Sequence, residues 1–197
     1  MSSNKKIFLL VIISVLILFV RSAIAQEIAS DFNLTNIDGI EFSLSDYTEK
    51  VVILDFFATW CGPCVSEIPH LKSLHEEFGE DLVIISISVS PSSDTVESLL
   101  EFRQEHEMNW IIARDTIGVN DKYGVQYIPT LVIVDQKGYI QHRHVGLTEE
   151  SVLHEEIVKI IPEFWTWPSI ILLFLTLTVI VLVNRKSTSN ILTTNKS

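Results

Sequence analysis

The chain has 197 residues, 47% of them apolar, and a formal net charge of −11. That suits one domain with a real core plus additional segments. All 25 acidic side chains lie between Glu27 and Glu163 with only 8 basic ones, so this stretch carries a formal −17, which argues against nucleic acid or anionic lipid as a partner.

In chain order, Lys5 and Lys6 precede an apolar run from Ile7 to Val20 that is broken only by Ser14, and Ala23-Ile24-Ala25 closes it. A basic start, a short apolar middle and a small-residue exit predict a secretory signal over 1–25, cut after Ala25. The run is short for a bilayer span, although Arg21 leaves an uncut anchor as the alternative. Residues 26–163 form the exported domain. Asp31 to Leu44 alternates around Asp38-Gly39 and reads as a hairpin. Val51 to Phe57 is a dense apolar run, typical of a strand buried on both faces. Val65, Ile68, Leu71, Leu74 and Phe78 keep helical spacing up to Gly79. Leu82 to Val89 reads as a strand. Asp94 to Glu107 reads as a helix with Val96, Leu99, Leu100 and Phe102 inward. Trp110 to Ala113 is a short strand, and Ile117 to Tyr123 a short helix closed by Gly124. Thr130 to Asp135 and Tyr139 to Val145 flank a turn at Gln136-Lys137-Gly138. A last helix runs from a Thr148 cap to Ile161, and Pro162 stops it. Alternating β and α elements ending in an antiparallel pair predict an α/β fold, a mixed central sheet with helices on both faces.

Phe164 to Val183 carries no charge and is long enough to cross a bilayer. Trp165 and Trp167 stand at its start, and Asn184-Arg185-Lys186 follows it. This predicts a transmembrane helix over 164–184, with residues 26–163 outside and 185–197 a disordered cytoplasmic tail.

The chain's two cysteines stand in LDFFATWCGPC, Leu54 to Cys64, directly after the buried strand. At i and i+3 on the first turn of a helix, Cys61 and Cys64 lie within disulfide reach. Cys61 at the helix tip meets unpaired N–H groups and the positive end of the dipole, which favour thiolate. Pro63 fits a first turn that needs no N–H partner there. Gly62 leaves room for a substrate backbone. Cys64 is expected to be the less exposed sulfur. The arrangement predicts that Cys61 attacks a substrate disulfide and that Cys64 resolves the mixed disulfide. Asp55, between Leu54 and Phe56, is expected to have a raised pKa and to accept the proton of Cys64. An inert staple is disfavoured, because so short a loop gains little closure entropy. Zinc needs two further ligands, and His70 and His75 on the following helix offer no second close pair. Haem attachment needs a histidine after Cys64, where Val65 stands.

VVILDFFATWCGPC, followed by Glu67 and Pro69, and then GVQYIPTLVIVDQKG resemble the thioredoxin superfamily. The lead-in DFNLTNIDGIEFSLSDY resembles its exported branch, the TlpA/ResA-like thiol–disulfide oxidoreductases. The resemblance spans about Ala29 to Ile161. It implies a thioredoxin-like three-layer fold with an N-terminal β-hairpin and a redox-active Cys61–Cys64 disulfide. It further implies Cys61 as nucleophile, Cys64 as resolving cysteine, Asp55 as the buried acid and Glu67 as a carboxylate near the site. Pro129 matches a cis-proline facing the disulfide, Trp60 the aromatic flank, Gly62 and Pro63 the dipeptide between the cysteines, and Pro69 a helix kink. For Glu67 a plain helix-surface carboxylate stays open. His142 and His144 are read as solvated side chains of an edge strand rather than ligands. Two departures stand out. The branch is commonly held at its N-terminus, whereas this chain places its span near its C-terminal end. A peroxidase site needs a proline before the reactive cysteine, and Leu54 to Trp60 contains none.

The expected function is a membrane-tethered, extracytoplasmic thiol–disulfide oxidoreductase without cofactor or metal. It would reduce disulfides in exported proteins such as apocytochrome c, with electrons from a membrane or cytosolic donor. The Gly62-Pro63 pair resembles reducing members. Two alternatives stay open: an oxidant or isomerase with the same dithiol, and a non-catalytic Cu(I)-thiolate carrier or adapter, in which Asp55 would be idle.

Overall fold

The computed structural model describes residues 26–161; the expected signal (1–25), the helix stop at Pro162, the transmembrane segment (164–184) and the tail (185–197) lie outside them. Among the described residues no helix is long and apolar enough to cross a membrane.

Two short strands, β1 (Asn33–Thr35) and β2 (Glu41–Ser43), form an antiparallel hairpin whose turn contains Gly39 at φ 83°. Five longer elements build the main sheet: β3 (Val51–Phe57), β4 (Leu82–Ser88), β5 (Ile111–Arg114), β6 (Thr130–Val134) and β7 (Ile140–Val145). Their order is β5-β4-β3-β6-β7. β3, β4 and β5 run parallel, and β6 and β7 join antiparallel, so the sheet is mixed as expected. β3 is central and buried at every position, which is why its sequence does not alternate with polar residues.

Side chains still alternate between the two faces of β3. Val52, Leu54 and Phe56 join Ile85, Ile87, Val132 and Val134 in one core. Phe32, Leu34 and Phe42 of the hairpin region cover it, with Val119 and Tyr123. Phe32 meets the edges of Phe42 and Tyr123 at 6.2 and 6.4 Å. Val51, Ile53, Asp55 and Phe57 point to the other face. There lie α1 (Gly62–Phe78), α2 (Val96–Glu105) and, after the one-turn α3 (Val119–Lys122), the last helix α4 (Glu150–Ile160). Phe102 of α2 packs on Phe57 at 5.8 Å, and none of the buried residues of α1, α2 or α4 belongs to the hairpin-side core. Helices therefore lie on both faces, as expected, but unevenly: the three longer helices share one face, and the hairpin with the one-turn α3 covers the other. The cause is chirality. β3-α1-β4 and β4-α2-β5 step in the same direction across the sheet, and right-handed crossovers return both helices to the same side.

Three local expectations also change. Leu99 and Phe102 of α2 are buried, but Leu100 is 37% exposed and Val96 only half-buried. A helix resting on one sheet buries a limited stripe. The last helix begins at Glu150, and Glu149 rather than Thr148 stands at its cap position: the amides of Val152 and Leu153 donate to the Glu149 carbonyl. Finally, β7 is an edge strand, yet His142 and His144 reach Glu156 of α4 at 3.0 and 2.7 Å instead of pointing only to solvent.

Candidate active site

The C-terminal end of β3, the start of α1 and the start of β6 meet at one pole of the sheet. Thr130 pairs with Phe56, so Pro129 lies one step further, beside the end of β3. The Ile128–Pro129 bond is cis, as the resemblance implied, and the Pro129 carbonyl accepts the Gly146 N–H at 2.8 Å.

Cys61 is the N-cap residue of α1, with extended backbone (φ −86°, ψ 102°). Its Sγ accepts the Cys64 N–H at 3.2 Å, and its carbonyl accepts the Val65 N–H. One of the free donors at the helix tip is thus aimed at sulfur, as a thiolate requires. Cys61 and Cys64 form a disulfide with Cα atoms 5.3 Å apart. They are 6% and 4% exposed, so the expected contrast in exposure is nearly absent: the bond folds the Cys61 side chain back over the first turn. Access comes from what surrounds them. Gly62 and Pro63 are exposed, and a Cβ on Gly62 would meet nothing within 4 Å, so the space above it is open to a substrate chain. Pro63 occupies the first turn, and Pro69 lies within α1. Trp60 is 66% exposed, and its indole donates to Ser90 Oγ at 3.4 Å. With Val89, Val125, Tyr127 and Ile128 it lines a groove of about 440 Å³.

Two carboxyls are buried on the helix-covered side. Asp55 accepts a hydrogen bond on Oδ2 from Ser86 Oγ at 2.7 Å. Burial pushes it up to about 7, against the lowering effect of that bond. Glu67, one turn after Cys64, is 1% exposed, which settles the open reading: it is no surface carboxylate. Oε1 accepts the Thr148 N–H at 2.9 Å, while buried Oε2 has no partner among the described residues. Burial pushes Glu67 up to about 7; the hydrogen bond from the Thr148 N–H opposes this, and the negative charge of Asp55 adds to it. The charge of Asp55 thus reaches Glu67, while Asp55 itself is governed by burial and by Ser86. Groups that change protonation near neutrality can both accept and return a thiol proton.

Two anchors of the site escape sequence reasoning. The first is Thr148, expected as a helix cap. Its N–H holds Glu67, its carbonyl accepts from His70 Nδ1 at 2.9 Å, and its hydroxyl donates to the Gly146 carbonyl at 3.2 Å, tying α1 to the loop that supports Pro129. The second is Asp94, 1% exposed. Oδ2 accepts the Thr59 N–H and Ser88 Oγ at 3.1 and 2.6 Å, and Oδ1 accepts Thr59 Oγ1 at 2.7 Å. This fastens the chain two residues before Cys61. An aspartate just before a helix reads in sequence only as a cap, yet Thr95 caps α2, accepting the Ser98 N–H.

Comparison with known proteins agrees with this geometry. The profile of the AhpC/TSA family matches residues 25–143. The thioredoxin-like protein YneN of Bacillus subtilis is 32% identical over 129 residues, 66% of this chain and 76% of that protein. The thiol-disulfide oxidoreductase ResA of Halalkalibacterium halodurans is 31% identical over 141 residues, 71% of this chain and 78% of that protein. The crystal structure of the pneumococcal exposed lipoprotein thioredoxin Etrx1 of Streptococcus pneumoniae is 28% identical with a TM-score of 0.56, covering 66% of this chain and 99% of that one. The chain therefore belongs to the thioredoxin-like AhpC/TSA family, and within it is an enzyme of the thiol–disulfide oxidoreductase class.

Proposed function

We propose that the chain is a membrane-tethered extracytoplasmic reductase of disulfides in exported proteins, apocytochrome c being one such client. One observation carries the reading: the Cys61 sulfur caps α1 and receives the Cys64 amide hydrogen, and the strand before it and the helix after it each bury a carboxyl, Asp55 and Glu67. In the reduced enzyme the Cys61 thiolate attacks a client disulfide. One client sulfur leaves and a Cys61–client disulfide forms. Cys64 then gives its proton to Asp55 and attacks Cys61, which releases the second client sulfur and closes the Cys61–Cys64 bond. Glu67 shares the proton traffic through its coupling to Asp55. Trp60, Tyr127 and Ile128 offer an apolar surface beside the sulfur pair for the chain flanking the client's cysteine. Each turnover leaves the pair oxidised, so an electron donor in the membrane or cytosol must restore the dithiol. The leader over 1–25 and the apolar run over 164–184 support export and tethering.

The test uses the full chain in membranes. With dithiothreitol as donor it reduces insulin disulfides, and Cys61→Ser abolishes the turnover, while Cys64→Ser accumulates the mixed disulfide. The reduction potential is expected near that of thioredoxin, about −270 mV. A value close to about −120 mV, that of a strong oxidant, overturns the reductive direction. Protease added outside intact cells is expected to digest 26–163 and spare a tag fused after residue 197; the reverse pattern overturns the orientation.

A further inference from the structure

We propose that Ser86 and Trp110 fix the direction of the hydrogen bond that Asp55 receives, and so set how firmly that carboxyl holds the proton of Cys64. The inference rests on the proton-accepting role given to Asp55 above. Ser86 is fully buried on β4 and stands opposite Asp55 in the parallel register, on the same side of the sheet. Its hydroxyl donates to Asp55 Oδ2 at 2.7 Å and accepts from Trp110 Nε1 at 2.9 Å.

The direction follows from the donor inventory. An indole N–H can only donate, an ionised carboxylate can only accept, and a serine hydroxyl owns one hydrogen. With Trp110 donating to the Ser86 oxygen, the hydroxyl hydrogen is directed at Asp55. The bond thus favours the carboxylate. When Asp55 takes up a proton, Oδ2 remains occupied by Ser86 and the proton belongs on Oδ1. Remove the indole, and the hydroxyl is free to rotate and accept from protonated Asp55, which favours the neutral acid. Trp110 is itself held in place: it is 8% exposed, and the His75 ring meets it at 5.9 Å and 72°.

The surroundings leave Ser86 in charge of this balance. Among the described residues Ser86 is the one side-chain donor to Asp55. Glu67, on α1, is the like charge that Asp55 acts on. β6 brings apolar Leu131 opposite Asp55 in register, and His75 stands behind Trp110. In the resolving step, the Cys64 proton passes to Asp55 Oδ1 and the sulfur keeps the electron pair. That sulfur bonds to Cys61 Sγ, the Cys61–client bond breaks, and the client leaves as a thiolate.

The experiment mixes the reduced full chain with 5,5′-dithiobis(2-nitrobenzoate) in stopped flow. The first release of thionitrobenzoate reports attack by Cys61, and the second reports attack by Cys64. In the parent the second phase falls at low pH as Asp55 becomes protonated. Ser86→Ala is expected to move that acid limb up by about one pH unit, a roughly tenfold slower second phase at a pH below the limb. Trp110→Phe moves it in the same direction by less, and Ser86→Thr, which keeps a hydroxyl, restores it. The first phase stays unchanged, whereas a merely structural defect slows both phases at every pH. Ser86→Ala removes only one oxygen and so keeps the test open where Trp110→Phe disturbs packing. A limb unmoved in both variants, while Asp55→Asn abolishes it, overturns the role of Ser86 and Trp110. A limb that survives Asp55→Asn overturns instead the assignment of Asp55 as proton acceptor.

Discussion

The two faces of β3 have opposite contents although they belong to one seven-residue strand. Toward the hairpin, Val52, Leu54 and Phe56 pack in an apolar and aromatic core, with Thr130, opposite Phe56, the buried polar neighbour at its edge. Toward the helices, Asp55 sits among Val51, Ile53 and Phe57, with Glu67, Ser86, Ser88 and Asp94 buried on the same side. A period of two residues is what allows this separation. One face supplies cohesion; the other holds polar groups whose burial lowers stability unless each finds a partner. Substitutions should therefore sort by the parity of the position.

The largest effect is expected on the hairpin side. Phe56→Ala removes a fully buried ring and should cost about 3–5 kcal/mol in urea unfolding. The reduction potential of the fraction that remains folded should not move. A shifted potential would show that the faces are not independent.

Next comes Asp55→Asn, with the opposite sign. Asp55 and Glu67 have reference values of 3.8 and 4.5, and burial raises both to about 7. Between roughly pH 4 and 7 the native state therefore binds more protons than the unfolded chain, and unfolding free energy falls as pH rises. Asp55→Asn should leave stability unchanged below pH 4 and raise it above pH 7 by roughly 2–4 kcal/mol. Urea titrations of the oxidised domain at pH 4 and pH 8 measure the difference. Equal stability gains at both pH values would sever the link to ionisation.

These two outcomes bear on what could be read from sequence. β3 was legible because six apolar or aromatic positions around a single aspartate admit few other readings, and the cysteine pair because its spacing puts both sulfurs within disulfide reach on a first helical turn. The burial of Glu67 was not legible. Its position one turn after Cys64 leaves the side chain free to face either way, and its partner Thr148 lies 81 residues on. The Thr59–Asp94 clamp, 35 residues apart, is hidden for the same reason. Sharing of one face by the three longer helices depends on strand order, which element order alone leaves undetermined.

Smaller effects sharpen the contrast. Thr59→Val deletes the hydroxyl that Asp94 Oδ1 accepts and should cost about 1–3 kcal/mol. It should also quicken hydrogen exchange at the amides around Trp60. Leu100→Glu, on the outer side of α2, should change stability by less than about 0.5 kcal/mol. A larger loss there would restore Leu100 to the interior.

One arrangement has mechanical meaning. The segment at Ile28 pairs with Tyr139, where the Ala29 amide donates to Gly138 and the Ile140 amide donates to Glu27. That is the end of β7 away from Val145, which pairs with Thr130 next to the cis-proline. α4 advances alongside α1, from Glu150 beside Ser73 to His154 beside Glu77, and so it too departs from Cys61. The polypeptide consequently enters and exits this body through its rear, as a lamp is wired from behind. Neither port takes backbone from the sulfur-bearing front, whose lining of Gly62, Pro63 and Trp60 stays exposed.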